Sequence, residues 1–260
     1  MKNKEKIGIV TVLYNSESVI KEFFETLALQ TYDNLVLYVV DNNSPDTSVD
    51  ECKKYESKLP FQVKYILNKE NYGVAKGNNQ GIKEALQDGC DYILLSNNDV
   101  VLQSDTIEAL YNGCKSESAL LAVPKIYFYK SNKLWAAGGK FNLLRASTPH
   151  RGYAKDDRGQ YDSNCIVDYA ATCFMLIHNS VFSIVGLMDE KYFVYYDDSD
   201  FFYKYVFRNC IYFRKKYYRT WKIFYFIELI LTYTVRKFRF RNNDHQWNVI
   251  RDAIIEGRKL

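Results

Sequence analysis

The sequence has no C-x-x-C pair, no G-x-G-x-x-G, no G-x-x-x-x-G-K-[S/T], no internal repeat and no low-complexity tract. It also lacks an apolar run of the roughly 20 residues that a membrane-spanning helix needs. Its six cysteines (Cys52, Cys90, Cys114, Cys165, Cys173 and Cys210) lie far apart. That pattern argues against a zinc ribbon or a dense disulfide framework and predicts reduced, mostly buried thiols. Glycine and proline are sparse, at 12 and 4 of 260 residues, while 47% of the chain is hydrophobic and 25% charged. This is the composition of a globular protein with one large domain and room for a small appendage. Met1 to Lys6 form a charged stub without the apolar stretch and cleavage site of a signal peptide, which predicts a cytoplasmic protein.

The net charge of +4 is unevenly distributed. Met1 to Tyr203 carry 21 Lys and Arg against 27 Asp and Glu, whereas Lys204 to Leu260 carry 14 against 4. An acidic body and a basic tail need separate explanations.

Apolar runs at Ile7–Leu13, Leu35–Val40, Phe61–Leu67 and Tyr92–Ser96 predict buried strands. Helices are expected between them, over Ser16–Gln30, Thr47–Ser57 and Gly73–Gln87, and after them over Asp105–Cys114. Strands that alternate with helices and read apolar without a break predict an α/β fold with a mostly parallel sheet covered on both faces. Further strands are expected over Leu120–Tyr129 and Ile166–Ile177, then a short helix over Asn179–Val185.

In such sheets ligands bind beyond the carboxyl ends of the strands. Tyr14-Asn15, Asp41-Asn42-Asn43 and Asn97-Asn98-Asp99 all fall at those ends, so one rim should collect them. The turn after the first strand is Tyr14-Asn15-Ser16-Glu17, which lacks the glycines of a dinucleotide-binding turn. Side-chain acceptors stand there instead. Asp41 is suited to accept from a nucleobase or ribose, and Asp99 to hold a hard cation bridging phosphates. Taken singly, each aspartate fits a turn or helix cap better than a ligand site.

Five segments, taken together and in order, resemble the family 2 glycosyltransferases of GT-A fold. They are Val12-Leu13-Tyr14-Asn15-Ser16, Leu29-Gln30, Val39 to Asp46, Asn71 to Gly81 and Leu94 to Val100. The resemblance is nearest to a rhamnosyltransferase-like branch, in which the metal motif is often Asn-x-Asp. It implies a nucleotide pocket from Tyr14, Asn15, Asp41, Asn71, Gly73, Asn78 and Asn98. It also implies that Asp99 holds Mg²⁺ or Mn²⁺ beside the diphosphate. With Asn97 in place of a first acidic residue, the site's charge is low and metal affinity without nucleotide should be weak.

Asp189 to Asp200 resemble the family's acidic segment, which implies Asp198 as catalytic base and Tyr196 and Asp197 as acceptor-binding residues. A solvated helix start is the alternative reading of these acids. The aromatic run Tyr192–Tyr196 fits acceptor stacking and core packing alike. Trp135 with Gly138-Gly139 resembles a family turn near the donor sugar, or is simply a tight turn. His150 is isolated, and His178 ends an apolar strand as a structural residue would.

The sequence departs from the family pattern after Asp200. It runs from Phe201-Phe202-Tyr203 almost directly to Tyr205-Val206-Phe207-Arg208-Asn209-Cys210, skipping the segment that carries the family's metal-ligating His. His245 lies in surroundings that do not match. The expected layout is a GT-A domain over 1–203, with a nucleotide-binding half (1–115) and an acceptor half (116–203), followed by a basic, aromatic helical tail over 204–260. In the tail, Ile223–Val235 is a 13-residue apolar run interrupted by Glu228. It fits a helix lying on an anionic inner-membrane surface, or one packed on its own domain. No nucleic-acid-binding motif is present. Two functional expectations follow. One is a metal-dependent, inverting transferase acting from a nucleoside diphosphate sugar onto a glycan or lipid-linked acceptor in surface polysaccharide synthesis. The other is a catalytically impaired nucleotide-sugar-binding relative or membrane-associated partner protein.

Overall fold

The computed structural model describes residues 4–140, 148–191 and 193. The four apolar runs become β1 (Ile7–Leu13), β2 (Leu35–Asp41), β3 (Gln62–Leu67) and β4 (Tyr92–Ser96). The helices between and after them are α1 (Glu17–Ala28), α2 (Ser48–Glu56), α3 (Gly73–Gln87) and α4 (Thr106–Ser116). β3, β2, β1 and β4 lie side by side and parallel. Every βα connection therefore emerges at one edge of the sheet.

Side chains alternate across a strand, so the two faces of the sheet carry different partners. Ile9 and Leu13 of β1, with Leu37 and Leu94, face one core, completed by Phe24 and Leu27 of α1 and Ile107 of α4. Val10, Tyr38, Ile93 and Leu95 face the other, against Ala75, Ile82 and Ala85 of α3. Leu27 is fully buried, and truncating such a residue to Ala costs about 2–5 kcal/mol. α3 comes unusually near β1. A Cβ at Gly81 would lie 2.4 Å from Cγ1 of Val10, and one at Gly77 2.8 Å from Cγ1 of Val12.

The second half differs from its sequence reading in two places. The strand expected over Leu120–Tyr129 is two short strands in two sheets, β5 (Leu121–Ala122) and β6 (Ile126–Tyr127). Pro124 stands between them; it has no N–H and restricts Val123, so a single ladder cannot run through. β6 pairs with β7 (Leu134–Ala136) in a separate antiparallel ribbon. The strand expected over Ile166–Ile177 is confined to β8 (Phe174–His178), because Ile166 is fully exposed and Tyr169 makes only an isolated bridge to Gly139. β8 inserts antiparallel between β4 and β5, completing a six-stranded, mostly parallel sheet. The short α5 (Ser180–Val185) follows, packing Val181 and Phe182 into the core on the α3 side.

All described residues belong to one compact unit. The boundary expected at 203/204, and the basic tail, lie outside the described residues. Among the described residues no helix is long and apolar enough to cross a membrane.

A candidate nucleotide-sugar site on the sheet rim

The parallel register sets Asp41 opposite Leu13, while Val10 pairs with Leu95, so β2 and β4 end on either side of the end of β1. With about 4.8 Å between neighbouring strands, the tips of β2 and β4 stand roughly 10 Å apart. Two side-chain contacts fix this geometry. Asn98 donates from Nδ2 to the carbonyl of Val12 at 2.8 Å. Asn42 donates from Nδ2 to the carbonyl of Gly73 at 3.0 Å, joining the tip of β2 to the start of α3. Asn68 extends the chain, donating to Oδ1 of Asn42 at 2.9 Å and exchanging two bonds of 2.8 Å with Gln80.

Asp41 is 6% exposed, and its carboxylate accepts the N–H of Ser44 at 3.2 Å. It thus helps shape the β2 turn while standing at the rim. Asn43, in that turn, has φ +58°, and Asn15, after β1, has φ +55°. Asparagine tolerates this left-handed conformation better than most residues. The two turns are stitched together: the N–H of Asn15 donates to Oγ of Ser44 at 3.2 Å, and that of Ser16 to Oγ of Ser48 at 2.8 Å. Asp46 accepts from the N–H of Glu17 at 3.0 Å and from Oγ of Ser48 at 2.5 Å. Burial opposes ionisation of Asp46, but the bonds from Ser48 and the Glu17 N–H outweigh it and hold the carboxyl below the usual range. The Tyr14 ring stands half exposed above this scaffold.

Asn71 accepts the N–H of Gly73 through Oδ1 at 2.9 Å, setting the entry to α3. Gly73 has φ +81°, and a Cβ there would lie 2.3 Å from the carbonyl oxygen of Phe193, so the chain passes this glycine too closely for any side chain. Asn78 is buried, with Nδ2 3.9 Å from Sδ of Met188. The sequence reading places it in the nucleotide pocket; its described contact is to the second half of the chain.

Asp99 follows β4 and is exposed, and no hydrogen bond or ion pair joins it to another described residue. It opens on a cavity of about 270 Å³ that it shares with Ser18 and Glu22 of α1, Val101 and Tyr129. The Tyr129 hydroxyl donates to Glu22, at 2.9 Å from Oε2. An unengaged, solvent-facing carboxylate fits a hard cation, and the exposed Asn97 beside it offers a further oxygen donor. No group of three or more His, Cys, Asp or Glu among the described residues is arranged to hold a metal.

Tyr196, Asp197 and Asp198 lie outside the described residues. His178 is structural, as its sequence context predicts. Its Nδ1 accepts the N–H of Ser180 at 3.2 Å, and its ring meets the edge of Tyr92 with centroids 5.0 Å apart. Trp135 packs against His150 with ring centroids 4.2 Å apart and planes tilted by 40°, and Gly138 turns with φ +74° against Val167. The sequence reading did not single out Glu22, Tyr129 or Asn79. Tyr129 carries no local signal, since only the packing of the β6–β7 ribbon brings it to α1.

The comparisons with known proteins agree with this geometry. The chain is 26% identical over 202 residues to the dTDP-rhamnosyl transferase RfbF of Shigella flexneri, covering 75% of this chain and 61% of that protein. It is 24% identical over 201 residues to a low-salt glycan biosynthesis hexosyltransferase of Haloferax volcanii, covering 77% and 61%. The match to the glycosyltransferase GlyA of Streptococcus pneumoniae, at 26% identity, covers 50% of this chain and 18% of that one. The chain thus spans less than two thirds of the length of each of these relatives. Among solved structures, S. aureus TarS 1-349 in complex with UDP-GlcNAc superposes with a TM-score of 0.53 at 18% identity, covering 76% of this chain and 52% of that one. The Pyrobaculum calidifontis mannosyltransferase PcManGT, in complex with GDP-Man and Mn²⁺, gives 0.55 at 14% identity, covering 77% and 51%. These likenesses identify the sheet and its helices as a GT-A fold. Residues 8–183 match the model of glycosyl transferase family 2, and the chain belongs to that family.

Proposed function

We propose that this chain transfers a sugar from a nucleoside diphosphate sugar to a glycan or lipid-linked acceptor, with inversion at the anomeric carbon, in cell-surface polysaccharide synthesis. The observation that carries the reading is that Asp41, at the end of β2, and Asp99, just after β4, stand on one rim on either side of the end of β1. Asp41 would accept from the base or ribose, with Tyr14 and Asn15 beside it and Asn71 and Gly73 shaping the neighbouring wall. Asn98 would hold the β4 tip in place. Asp99, with Asn97, would hold a Mg²⁺ or Mn²⁺ ion whose charge offsets that of the departing nucleoside diphosphate. Asp198 would take the proton of the acceptor hydroxyl as that oxygen bonds to the anomeric carbon and the bond to the phosphate oxygen breaks on the opposite side. Tyr196 and Asp197 would orient the acceptor. The basic tail over 204–260 would rest on an anionic membrane surface, where a lipid-linked acceptor is presented.

The test is a thermal-shift screen against UDP, GDP and dTDP with and without Mn²⁺, followed by donor hydrolysis and transfer assays. Ligands that bind the folded state raise its melting temperature by mass action. A shift with one nucleotide, enlarged by Mn²⁺, supports the donor site, and loss of turnover in Asp198→Asn supports the base. No shift with any nucleotide would sink the reading.

A second reading, a nucleotide-sugar-binding relative without transfer activity, rests on the sequence after Asp200, which lacks the family's His-bearing segment. It expects nucleotide binding without turnover, and no effect of Asp198→Asn.

A further inference from the structure

We infer that Asn79 is a positioning residue that clamps the segment leading to Asp198 onto the nucleotide-side helix α3. Asn79 is 1% exposed, in the middle of α3. A buried primary amide in a helix is costly unless its donors and acceptor are met. Here they are met by one stretch of chain far away in sequence. Nδ2 of Asn79 donates to the carbonyl of Met188 at 2.9 Å, and Oδ1 accepts the N–H of the same Met188 at 3.0 Å. The amide reads both polar groups of one residue's backbone, as a neighbouring strand would. Nδ2 also lies 3.1 Å from Oε1 of Glu190.

A second tie lies at the N-terminal end of the same helix. The N–H of Val74 donates to the carbonyl of Phe193 at 2.7 Å, beside the Cβ-less Gly73. Met188 and Phe193 are thus held at two points along α3. That same N-terminal end, at Gly73, meets Asn42 and Asn71, next to Asp41. Phe193 precedes Asp198 by five residues in the sequence. The clamp joins the donor side of the site to the chain that supplies the acceptor-side acids. The amide of Asn79 is engaged by Met188 and Glu190, so its role is to hold the second segment in register with the first. This inference rests on the proposed function for its catalytic consequence, though not for the clamp itself.

The experiment compares the full-length chain with Asn79→Asp, which keeps shape but replaces the donating amide with a carboxylate facing the Met188 carbonyl. Lys83→Ala serves as control, since it removes only an exposed pair with Glu190 at 3.9 Å. Amide hydrogen exchange is followed in peptides covering Met188 and Val74, alongside UDP affinity with Mn²⁺ and transfer turnover. In Asn79→Asp the Met188 N–H keeps an acceptor, but the Met188 carbonyl loses its donor and faces a carboxylate, so the segment should lift from α3 and both amides should exchange about tenfold faster or more. Nucleotide affinity should change less than about threefold, and turnover should fall well beyond that. Lys83→Ala should match the parent in every readout.

Should Asn79→Asp fail to fold, Glu190→Ala removes one partner of the amide and should give a smaller acceleration at Met188. Unchanged exchange at Met188 and Val74 would overturn the clamp. Faster exchange with nucleotide affinity falling as steeply as turnover would overturn the positioning role and assign Asn79 to the nucleotide pocket. If the parent chain proves to lack transfer activity, the proposed function fails, while the exchange measurements still decide the clamp.

Discussion

The side-chain amide of Asn98 donates to the main-chain carbonyl of Val12 at 2.8 Å, so the loop carrying Asp99 is tied to the end of β1 rather than left to its own turn. Asn98 is 9% exposed, which makes this a nearly dry contact. It allows a loop residue such as Asp99 to occupy a defined place on the rim.

Replacing Asn98 with Ala should lower stability by about 1–3 kcal/mol, because the carbonyl of Val12 loses its partner in a buried setting. Urea unfolding measures this directly. Mn²⁺-dependent nucleotide affinity should fall as well, since Asp99 loses its tether. A variant with normal stability and normal Mn²⁺ dependence would contradict the tether.

Asp99→Asn should behave in the opposite way. The carboxylate is exposed and unpaired among the described residues, so stability should stay within about 0.5 kcal/mol of the parent. The Mn²⁺-dependent part of the UDP-induced thermal shift should disappear. Persistence of the full Mn²⁺ effect would move the cation elsewhere.

Thr11 lies in the centre of β1 with its hydroxyl buried and without a hydrogen-bond partner among the described residues. Thr11→Val replaces that oxygen with a methyl group of nearly the same shape. Removing an unsatisfied buried polar group should raise stability by about 1 kcal/mol, measured by urea unfolding. A loss of stability would mean that the hydroxyl is hydrogen-bonded in the folded protein.

The buried thiols give a pH signature. Burial pushes the Cys52 thiol up to about 12 and the Cys114 thiol up to about 11, from an ordinary value of 9. The folded state therefore keeps protons that the unfolded chain releases above pH 9, and stability should fall as pH rises from 9 towards 11–12. The Cys52→Ala and Cys114→Ala variants should show a shallower alkaline loss than the parent. In native protein a thiol reagent should modify the exposed Cys165 quickly, and Cys52, Cys90 and Cys114 only after unfolding.

Much of the first half is legible in the sequence because its signals are local. The runs at Ile7–Leu13 and Leu35–Val40 read as buried strands without knowledge of their neighbours, and the residues that end them sit where parallel topology collects ligands. The second half is harder because its order is set by distant pairing. Nothing near Phe174 announces that β8 runs antiparallel beside β4. Pro124, by contrast, is a local signal that separates β5 from β6, and the apolar character of Leu120–Tyr129 hides it. Asn79 was equally visible in principle. It falls on the buried face of α3 with Ala75, Ile82 and Ala85, and a polar residue in an apolar stripe implies a specific partner.

The place of β8 in the sheet bears on how the protein is made. Until residue 178 has been synthesised, β4 presents a bare apolar edge in which Ile93 and Leu95 await Ile177 and Met175. About 80 residues separate the end of β4 from the end of β8, so at translation rates of 5–20 residues per second that edge stays open for roughly 4–16 seconds. Bare strand edges recruit other chains. A fragment truncated after α4 should therefore aggregate instead of yielding a soluble nucleotide-binding module, and the emerging polypeptide is a natural client for chaperones during that interval.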